Sequence, residues 1–593
     1  MNNEIKSDTW SLKELYASFE GEDFNRDIKL LDDLTKDLKE WSKAQLINNE
    51  DVVRKLEDYI NRIEKYFRIE CGLSGFSSLS YSEDVSNSIA KKYLGILDKK
   101  KVQFNEVEVK FTKWLSGIDN LEQVINSSNK LKEYEFYLKE IKGKNKHMLS
   151  EQEELLISKM RLTGSSTWEK YRNQIAANHR VEIELDGRIE SLGINKIKNM
   201  LFSKDKELRE IAYWAERKSN DKIAEGAATA LDAIKGEVIT LCDVKKYKSP
   251  LHRTLEDSRM DEETLDAMIE VMEENLMEFR RYFLKKAQLL GREGKLPYYD
   301  IMAPVGNREM SFTFEEARDF IVKHFNSFAP DMGQLALTAF NNKWIDWGVR
   351  DGKRGGAFCY NLHQIKESRI LCSFGNSFKN VCTLAHELGH AYHHWILQQD
   401  SWLNSSYPMP LAETASIFSE TLVRNAVLKT ADKDEAVLIL GAELVNSSTS
   451  IVDIYARFIF EKKLFERRRE GELSLEEIKG LMLWAQKQAY GDAISEDTLD
   501  PYAWIHKNHY YYPDINYYNF PYAFGLLFSK GLYSMYLNEG SSFVERYNEL
   551  LRITGKASIY DAAKSVGIDV HGKEFWREAM NTVRSEIDKF CNV

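Results

Sequence analysis

The chain has 593 residues, of which 43% are hydrophobic and 30% are charged, so it is long enough for several domains or for one large two-lobed unit. Its formal net charge is -11 at pH 7. A nucleic-acid-binding protein needs a basic surface, so this charge balance argues against that class of function.

The N-terminus and the cysteines predict a protein of the reducing cytoplasm. The opening segment, MNNEIKSDTWSLKELYASFEGEDF, lacks the apolar region of a secretory signal. No apolar run of about 18 residues occurs along the chain, so neither a spanning helix nor a membrane partner is expected. The 6 cysteines are scattered without a CxxC pair, which disfavours a disulfide scaffold and a thiolate metal site.

The N-terminal part of the chain is predicted to be helical. Only 9 prolines interrupt the long charged stretches of the sequence. Ser11 and Glu14 have the spacing of a capping box, which predicts a first helix at this point. Apolar residues at helical spacing predict further helices within residues 25–70, 83–145 and 150–178.

A strand signal follows this helical part. Residues 180–185 alternate between polar and apolar side chains, and Asp186-Gly187 comes directly after them, which indicates a hairpin. We therefore predict a boundary near residue 190, between an N-terminal helical region (1–190) and a larger region (191–593).

The larger region is predicted to hold helices and one small sheet. Helical patterns resume at 194–245 and 260–292. A turn-rich segment at 351–356 then changes the character of the sequence, and two short strands are predicted at 357–360 and 369–374. The sheet is therefore expected directly before the next helix.

That next helix carries a motif suited to a metal ion, His386-Glu387-Leu388-Gly389-His390. A spacing of four places both imidazoles on one helix face, one turn apart, where they can share a tetrahedral zinc ion. Glu387 lies beside them and can act as general base toward a water activated by the metal. The alternative, two incidental histidines on an ordinary helix, is a rare coincidence in a chain with 12 histidines.

A second predicted helix, at residues 411–420, offers a third ligand. Glu413 and Glu420 are seven residues apart and share a helix face. Glu413 can complete a three-ligand site with one open position, as catalytic zinc requires. Glu420 can then orient a ligand histidine by accepting its free N–H. Their alternative role, as part of a solvated helix face, is disfavoured by the small and apolar residues around them.

The residues after the motif narrow the class of zinc protein. A metzincin needs glycine and histidine where His393 and Ile396 stand, so that class is excluded. His393 shares the face of the motif histidines but lies two turns from His386, too far to bind the same ion in a regular helix. We interpret His393 as a residue that supports a ligand or packs the helix.

Longer segments around the motif resemble a known family. HELGHAYHH at 386–394, followed by LAETASIFSE at 411–420, is similar to the oligoendopeptidase F branch of the thimet oligopeptidase family. The other similar segments are the opening WSLKELYASFEGEDF, the stretch Leu296-Pro-Tyr-Tyr-Asp300 with Ala303-Pro304, the glycine-rich residues 353–359 and the tyrosine-rich residues 509–525. The resemblance extends through nearly the whole chain and is strongest from 296 to 530.

The resemblance implies a fold, an activity and a set of site residues. The fold is a mostly α, two-lobed helical peptidase with a deep substrate channel and a small β-sheet near the zinc site. The activity is hydrolysis of internal bonds in short peptides, with the larger region, 191–593, carrying the site. By position, His386, His390 and Glu413 correspond to the ligands of one zinc ion, and Glu387 corresponds to the catalytic acid/base.

The resemblance also assigns a substrate-binding segment. Ser373, Phe374 and Gly375 correspond to an edge strand that pairs with the backbone of the peptide. They precede the motif helix directly in the sequence.

The aromatic segment 509–525 offers donors for the oxyanion of the tetrahedral intermediate. A phenol stays protonated at neutral pH and can donate a hydrogen bond to it. Most of these tyrosines are expected to pack in the core, and the resemblance favours His509, Tyr518 and Tyr522 as the functional residues. The choice between Tyr517 and Tyr518 stays open.

Two other functions stay open. A zinc carboxypeptidase of a related helical fold would remove single C-terminal residues, but the segment 509–525 favours the endopeptidase. A non-catalytic peptide-binding relative would keep the fold, and the intact Glu387 disfavours it. The sequence leaves the oligomeric state and the preferred side chains of the substrate undetermined.

Overall fold

The computed structural model describes residues 8–306 and 310–592 of the chain. Most of these residues lie in helices, and the described strands form two small sheets. The mostly helical class predicted from the sequence is therefore confirmed. Buried apolar side chains form two large separate cores, one in the N-terminal region and one in the remainder of the chain, which gives the molecule two lobes.

The N-terminal lobe is built from helices packed through aromatic side chains. Their bounds are α1 Glu22–Gln45, α2 Val52–Glu83, α3 Ser88–Ser116, α4 Leu121–Asn126, α5 Asn129–Glu133 and α6 Glu135–Lys144. The next helices are α7 Glu151–Arg161 and α8 Ser165–Asn178, and Trp168 and Ile175 of α8 pack on the larger core instead. Tyr59 of α2 stacks on Phe111 of α3 with ring centroids 3.4 Å apart, and Tyr66 stacks on Phe104 at 4.0 Å. These contacts bury the apolar faces that the helical spacing indicated.

The predicted hairpin follows these helices. Strand β1 (Arg180–Leu185) pairs antiparallel with β2 (Arg188–Gly193). Asp186 and Gly187 connect them with φ angles of 49° and 72°, the left-handed backbone that a tight two-residue turn requires. Strand β2 contains residue 190, so the predicted boundary falls inside the hairpin rather than after it.

Among the residues that the structure describes, seven helices lead from the hairpin to the site. Their bounds are α9 Ile194–Met200, α10 Lys206–Val244, α11 Pro250–Asp257, α12 Glu262–Glu274, α13 Leu276–Leu289, α14 Phe314–Phe328 and α15 Pro330–Asn341. Helix α14 begins with a capping box in which Thr313 and Glu316 satisfy each other's backbone N–H groups. Helices α10 to α15 supply much of the larger core, whereas α9 packs with the hairpin in a separate small cluster.

A three-stranded sheet lies directly before the motif helix. Its strands are β3 (Ile345–Asp346), β4 (Phe358–Leu362) and β5 (Glu367–Leu371). The strand order is β3-β5-β4, with β4 antiparallel and β3 parallel to the central strand β5. The two strands predicted at 357–360 and 369–374 are therefore present, and β3 is an addition that the sequence patterns did not indicate.

The N-terminal segment packs on this sheet instead of forming a helix. The helix predicted at Ser11 is wrong, because the first described helix begins at Glu22. The Ser11 hydroxyl donates to Glu14 at 3.0 Å, but Glu14 also accepts a hydrogen bond of 3.0 Å from Arg369 of β5. This ion pair holds the segment as a turn against the sheet.

The remaining helices surround the site and form the rest of the larger core. Their bounds are α16 Phe378–Leu397, α17 Met409–Ala412, α18 Thr414–Leu428, α19 Lys433–Ser448, α20 Ile454–Glu470, α21 Leu475–Tyr490, α22 Phe520–Glu539, α23 Phe543–Ile553, α24 Ile559–Ser565 and α25 Glu574–Cys591. A π-helical turn, Thr449–Asp453, joins α19 to α20.

That joined run, Lys433–Glu470, is long and apolar enough by composition to cross a membrane, although no spanning helix was expected from the sequence. Its most apolar window has a mean hydropathy of 1.4, and 61% of that window is buried inside the protein. Core helices often satisfy the same criterion, so the run is weak evidence for a membrane span.

Candidate metal centre and active site

The motif histidines stand on one face of α16. Ser377 caps the N-terminus of this helix, and its hydroxyl accepts the backbone N–H of Asn380 in a capping box. The rings of His386 and His390 lie with centroids 5.0 Å apart, and both side chains are half-buried. The one-turn spacing predicted from the sequence therefore brings both imidazoles to the same place.

Glu413 meets both histidines. Its Oε2 atom lies 3.2 Å from Nε2 of His386 and 3.5 Å from Nε2 of His390. Ser416 fixes this carboxylate by donating to the same oxygen at 2.8 Å. The single helix predicted at 411–420 is instead two helices, α17 and α18, with Glu413 at the junction between them.

These three side chains fit a metal ion. One ligand atom from each of His386, His390 and Glu413 lies within 4.8 Å of the other two. Two imidazole nitrogens and one carboxylate oxygen are a ligand set that catalytic zinc uses. An ion at their centre would bind the carboxylate oxygen and the two ring nitrogens, which otherwise contact each other directly.

Glu420 occupies the position expected of an orienting residue. Its Oε2 atom lies 3.4 Å from Nδ1 of His386, the ring nitrogen that faces away from Glu413. Burial alone would lower the pKa of His386, but the hydrogen bonds from both carboxylates outweigh it and raise that pKa to about 10. The two acids therefore hold opposite sides of one imidazole ring.

Two glycines allow these elements to approach. A Cβ atom at Gly389 would lie 2.5 Å from the backbone oxygen of Ala415 and 2.5 Å from the hydroxyl of Ser419, so α16 and α18 pack backbone to backbone. A Cβ atom at Gly525 of α22 would lie 2.9 Å from the Cβ of Glu413. The glycine of the motif thus brings the carboxylates of the second helix to the histidines of the first.

Glu387 is buried between the ligand histidines and the sheet. Only 5% of the residue is exposed, and burial raises the pKa of its carboxyl group. Burial, with the Glu387 charge as a second cause, raises the pKa of the thiol of Cys359 on β4. Cys372 and Cys382 are buried free thiols, as expected for small apolar core residues.

The two histidines after the motif have structural partners. His393 is fully buried and hydrogen-bonds to the hydroxyl of Thr554 at 2.9 Å and to the carbonyl of Leu551 at 3.3 Å. Burial lowers its pKa to about 3. Both hydrogen bonds hold α16 to α23 and its neighbouring turn, which favours the packing role of the two that the sequence left open. His394 lies 3.1 Å from the hydroxyl of Tyr407.

The aromatic segment places three favoured residues together. The ring of His509 stacks on Tyr518 with centroids 4.1 Å apart, and the hydroxyl of Tyr522 donates to that of Tyr518 at 3.1 Å. The Nδ1 atom of His509 is buried without a hydrogen-bond partner among the residues the structure describes. All three side chains are half-buried. Burial is the main cause of the raised pKa of Tyr522, followed by the hydrogen bond with Tyr518, and the Glu413 charge adds to both.

The structure separates Tyr517 from Tyr518. Tyr517 is only 5% exposed and stacks on Phe465 at 5.7 Å, with a φ angle of 51°. Its backbone N–H donates to Glu461 at 3.1 Å. Tyr510 and Tyr511 are also buried in the core. Of these two neighbours, Tyr518 is therefore the one whose hydroxyl contacts Tyr522.

The segment expected to bind substrate backbone lies beyond the end of β5. The N–H of Phe374 already donates to Trp347 at 3.0 Å, and that of Gly375 donates to the side chain of Asn380 at 2.9 Å. Ser373 is exposed, while the ring of Phe374 is buried in the core. The segment is therefore a loop after the central strand β5 and not an edge strand, and its contact with the substrate backbone stays a prediction.

Sequence patterns missed two residues of the site. Arg424 donates to Glu420 at 2.5 Å and is 5% exposed. Tyr407 stacks on His393 with ring centroids 4.3 Å apart. Arg424 could have been identified from the sequence, because it follows Glu420 at the helical spacing of four. Tyr407 could not, because it lies on a loop, where no periodic pattern indicates contacts.

Two family models match the chain. The model for peptidase family M3 matches residues 199–582, well over half of the chain, and includes the candidate metal centre. A second model, described as oligopeptidase F, matches residues 117–180.

Curated relatives agree with these models. Oligopeptidase PepF of Bacillus subtilis is 25% identical over 601 residues, covering 99% of this chain and 87% of that protein. An oligoendopeptidase F homolog of Lactococcus lactis is 24% identical over 524 residues, covering 87% of this chain and 86% of that protein.

Solved structures share the fold. A candidate peptidase from Chlamydophila abortus superposes with a TM-score of 0.86 at 21% identity, covering 99% of this chain and 98% of that one. Oligoendopeptidase-F from Enterococcus faecium superposes with a TM-score of 0.68 at 19% identity, covering 95% and 98%. These structures show the fold, and the family models and curated relatives show that the chain belongs to the oligoendopeptidase F branch of peptidase family M3.

Proposed function

We propose that the chain is a one-zinc endopeptidase that hydrolyses internal bonds of short peptides. Membership of peptidase family M3 makes it a metalloendopeptidase that acts on peptides. The observation that carries the finer proposal is the convergence of His386, His390 and Glu413, whose ligand atoms lie within 4.8 Å of one another. That ligand set favours zinc among the common divalent ions.

The three ligands and Glu420 have distinct roles in this proposal. His386, His390 and Glu413 would hold the ion through two ring nitrogens and one carboxylate oxygen. When bound, zinc supplies a Lewis acid that polarises the scissile carbonyl and lowers the pKa of water. Glu420 would accept the Nδ1–H of His386, which fixes the tautomer that leaves Nε2 free to bind.

Glu387 is proposed to move the proton. Its carboxylate accepts a proton from the attacking water and later hands it to the leaving amine. It follows His386 directly on α16 and is shielded from bulk solvent. This burial limits competition from other water molecules for the carboxylate.

The aromatic segment is proposed to stabilise the oxyanion. Tyr518 donates its hydroxyl hydrogen to the developing charge, and Tyr522 donates to the oxygen of Tyr518, which strengthens that donor. His509 is proposed to hold the ring of Tyr518 in place by stacking on it. For Ser373 we propose a contact with the peptide backbone, because it is exposed beside the motif helix.

Product analysis separates this proposal from its alternatives. Internally quenched peptides of increasing length would be incubated with the zinc-loaded protein, with and without a chelator, and the products identified by mass. We expect internal cleavage that a chelator abolishes and zinc restores. Release of single C-terminal residues would instead establish the carboxypeptidase, and binding without cleavage would establish the non-catalytic relative.

The organisation of the chain and its location are also proposed. We assign residues 1–190 to an N-terminal region and 191–593 to the zinc peptidase, with a deep channel between the lobes that admits short peptides. All six cysteines are free thiols, which suits the cytoplasm. Fractionation of the source cells with an antibody against the chain tests the location.

A further inference from the structure

A row of buried charged side chains runs behind the candidate metal centre. Arg424 of α18 donates to Glu420 at 2.5 Å and forms an ion pair with Glu443 of α19 at 2.9 Å. Lys530 of α22 donates to Glu443 at 2.7 Å and to Glu586 of α25 at 2.5 Å. The row therefore connects four helices, of which α18 and α19 are consecutive while α22 and α25 lie far along the chain.

These charges are removed from solvent. The side chain of Lys530 is 0% exposed, that of Glu443 is 3% exposed and that of Arg424 is 6% exposed. Taking an ion out of water costs several kcal/mol, about as much as a close partner returns, so well-packed apolar side chains of similar volume often stabilise an interior equally well. Fold stability alone is therefore a weak explanation for this row.

The row ends on a candidate metal ligand. The two oxygens of Glu420 have different partners, since Oε1 accepts from Arg424 and Oε2 faces Nδ1 of His386 at 3.4 Å. Arg424 likewise forms ion pairs with both Glu420 and Glu443, and Glu443 forms ion pairs with both Arg424 and Lys530. Because each group is held from two sides, the loss of one member would release the next.

We infer that Arg424, Glu443, Lys530 and Glu586 are positioning residues for the metal centre, acting through Glu420 on the ring of His386. This inference rests on the proposed function, because it assigns these residues to the geometry of the proposed zinc site. It predicts that a charge on α25, at the far end of the row, influences the metal affinity of a ligand on α16.

The charges in the row explain the direction of the effect. Without Lys530, the carboxylates of Glu443 and Glu586 lose their shared cation, and Glu443 then attracts Arg424 more strongly. Arg424 would move toward Glu443 and away from Glu420. The His386 ring would lose its fixed orientation, and partners of this kind typically contribute about 10- to 100-fold in metal affinity.

The test measures the metal site directly. Arg424→Lys keeps the charge but cannot hold two carboxylates in one plane, and Glu443→Gln keeps the shape without the charge. Lys530→Met removes the central cation, and Glu586→Gln is the mildest and most distant change. Zinc affinity would be measured by competition with a chelator, and ligand geometry by the visible absorption spectrum of the cobalt-substituted protein.

A matched control separates positioning from general destabilisation. Arg209 and Asp300 form another buried ion pair, 2.7 Å long, with side chains 1% and 0% exposed. Their other charged contacts lead to Arg292 rather than to the metal centre. Arg209→Met should therefore lower the melting temperature and leave zinc affinity and the cobalt spectrum unchanged.

We expect Arg424→Lys and Glu443→Gln to weaken zinc binding about 10- to 100-fold and to shift the cobalt bands, with a smaller effect for Glu586→Gln. Folded Arg424→Lys and Glu443→Gln proteins with wild-type affinity and spectrum would overturn the inference, as would an equal effect of Arg209→Met. If Lys530→Met does not fold, Arg424→Lys and Glu443→Gln still test the inference. Failure of the wild-type chain to bind zinc would overturn the proposed function instead, so the two failures remain distinct.

Discussion

Two parts of the candidate site differ in how their side chains are held. The ligand part consists of α16 and α18, where Gly389 lets the helices pack backbone to backbone and both acids face one histidine. The aromatic part lies mostly outside regular helix, and Tyr518 is held there by a stacked ring and a single hydroxyl contact.

This difference suggests that the two parts have separate functions, metal binding and stabilisation of the developing charge. A metal ion needs ligands fixed to within a few tenths of an ångström, which regular helices and buried ion pairs supply. A donor to a developing charge needs its hydroxyl in place only when substrate is bound, so a less regular segment can carry it. Changes in the ligand part should alter metal binding, whereas changes in the aromatic part should alter the rate alone.

The largest effect is expected for Glu387, which stands on the ligand part but binds no metal in our proposal. Glu387→Gln keeps the side-chain shape and removes the base, so turnover should fall about 10²- to 10⁴-fold with unchanged zinc content. Turnover of a quenched peptide and metal analysis of the same sample check this. Full activity in the metal-loaded variant would refute the mechanism.

Glu413→Ala tests whether the ligand part governs metal binding. Removing the carboxylate leaves two histidines, so zinc affinity should fall by more than the roughly 10- to 100-fold typical of outer partners. Chelator competition measures the affinity, and Ala412→Gly in the adjoining helix serves as a control for local disruption. Unchanged stoichiometry and affinity would move the third ligand elsewhere, with Glu420 as the next candidate.

Tyr518→Phe tests the aromatic part. We expect kcat to fall about 100-fold with little change in zinc affinity or substrate binding, because the lost hydroxyl would act on the developing charge. Tyr517→Phe is the matched control, since its ring is buried against Phe465. An equal loss in both variants would contradict the assignment, and an unchanged rate for Tyr518→Phe would move the role to Tyr522 or His509.

The smallest effect is expected from crowding the helix contact. Gly389→Ala places a Cβ atom 2.5 Å from the backbone oxygen of Ala415, so α16 and α18 must separate, which should cost about 1–3 kcal/mol of unfolding free energy and weaken zinc binding. Gly480→Ala in α21 is the control, because its Cβ atom meets nothing within 4 Å. Urea denaturation compares the two, and equal stability of both variants would argue against the close contact.

The sequence by itself determined the features that depend on local spacing. A spacing of four positions from His386 to His390 places both rings on one face of any regular helix, and Asp186-Gly187 supplies the left-handed backbone of a hairpin turn. Glu413 and Glu420 were also identified as acids of the site, although the helix break at Glu413 was not foreseen.

Only the tertiary structure decided the features that depend on contacts between distant segments. Tyr517 and Tyr518 are neighbours in sequence, yet Phe465 on α20 buries the first while His509 stacks on the second. Arg424 pairs with Glu443 on α19, and Lys530 on α22 joins Glu443 to Glu586 on α25. No periodicity within one segment records these pairings. Local steric rules fix the backbone of a helix or a turn, whereas burial and ion pairing arise when helices from different parts of the chain pack together.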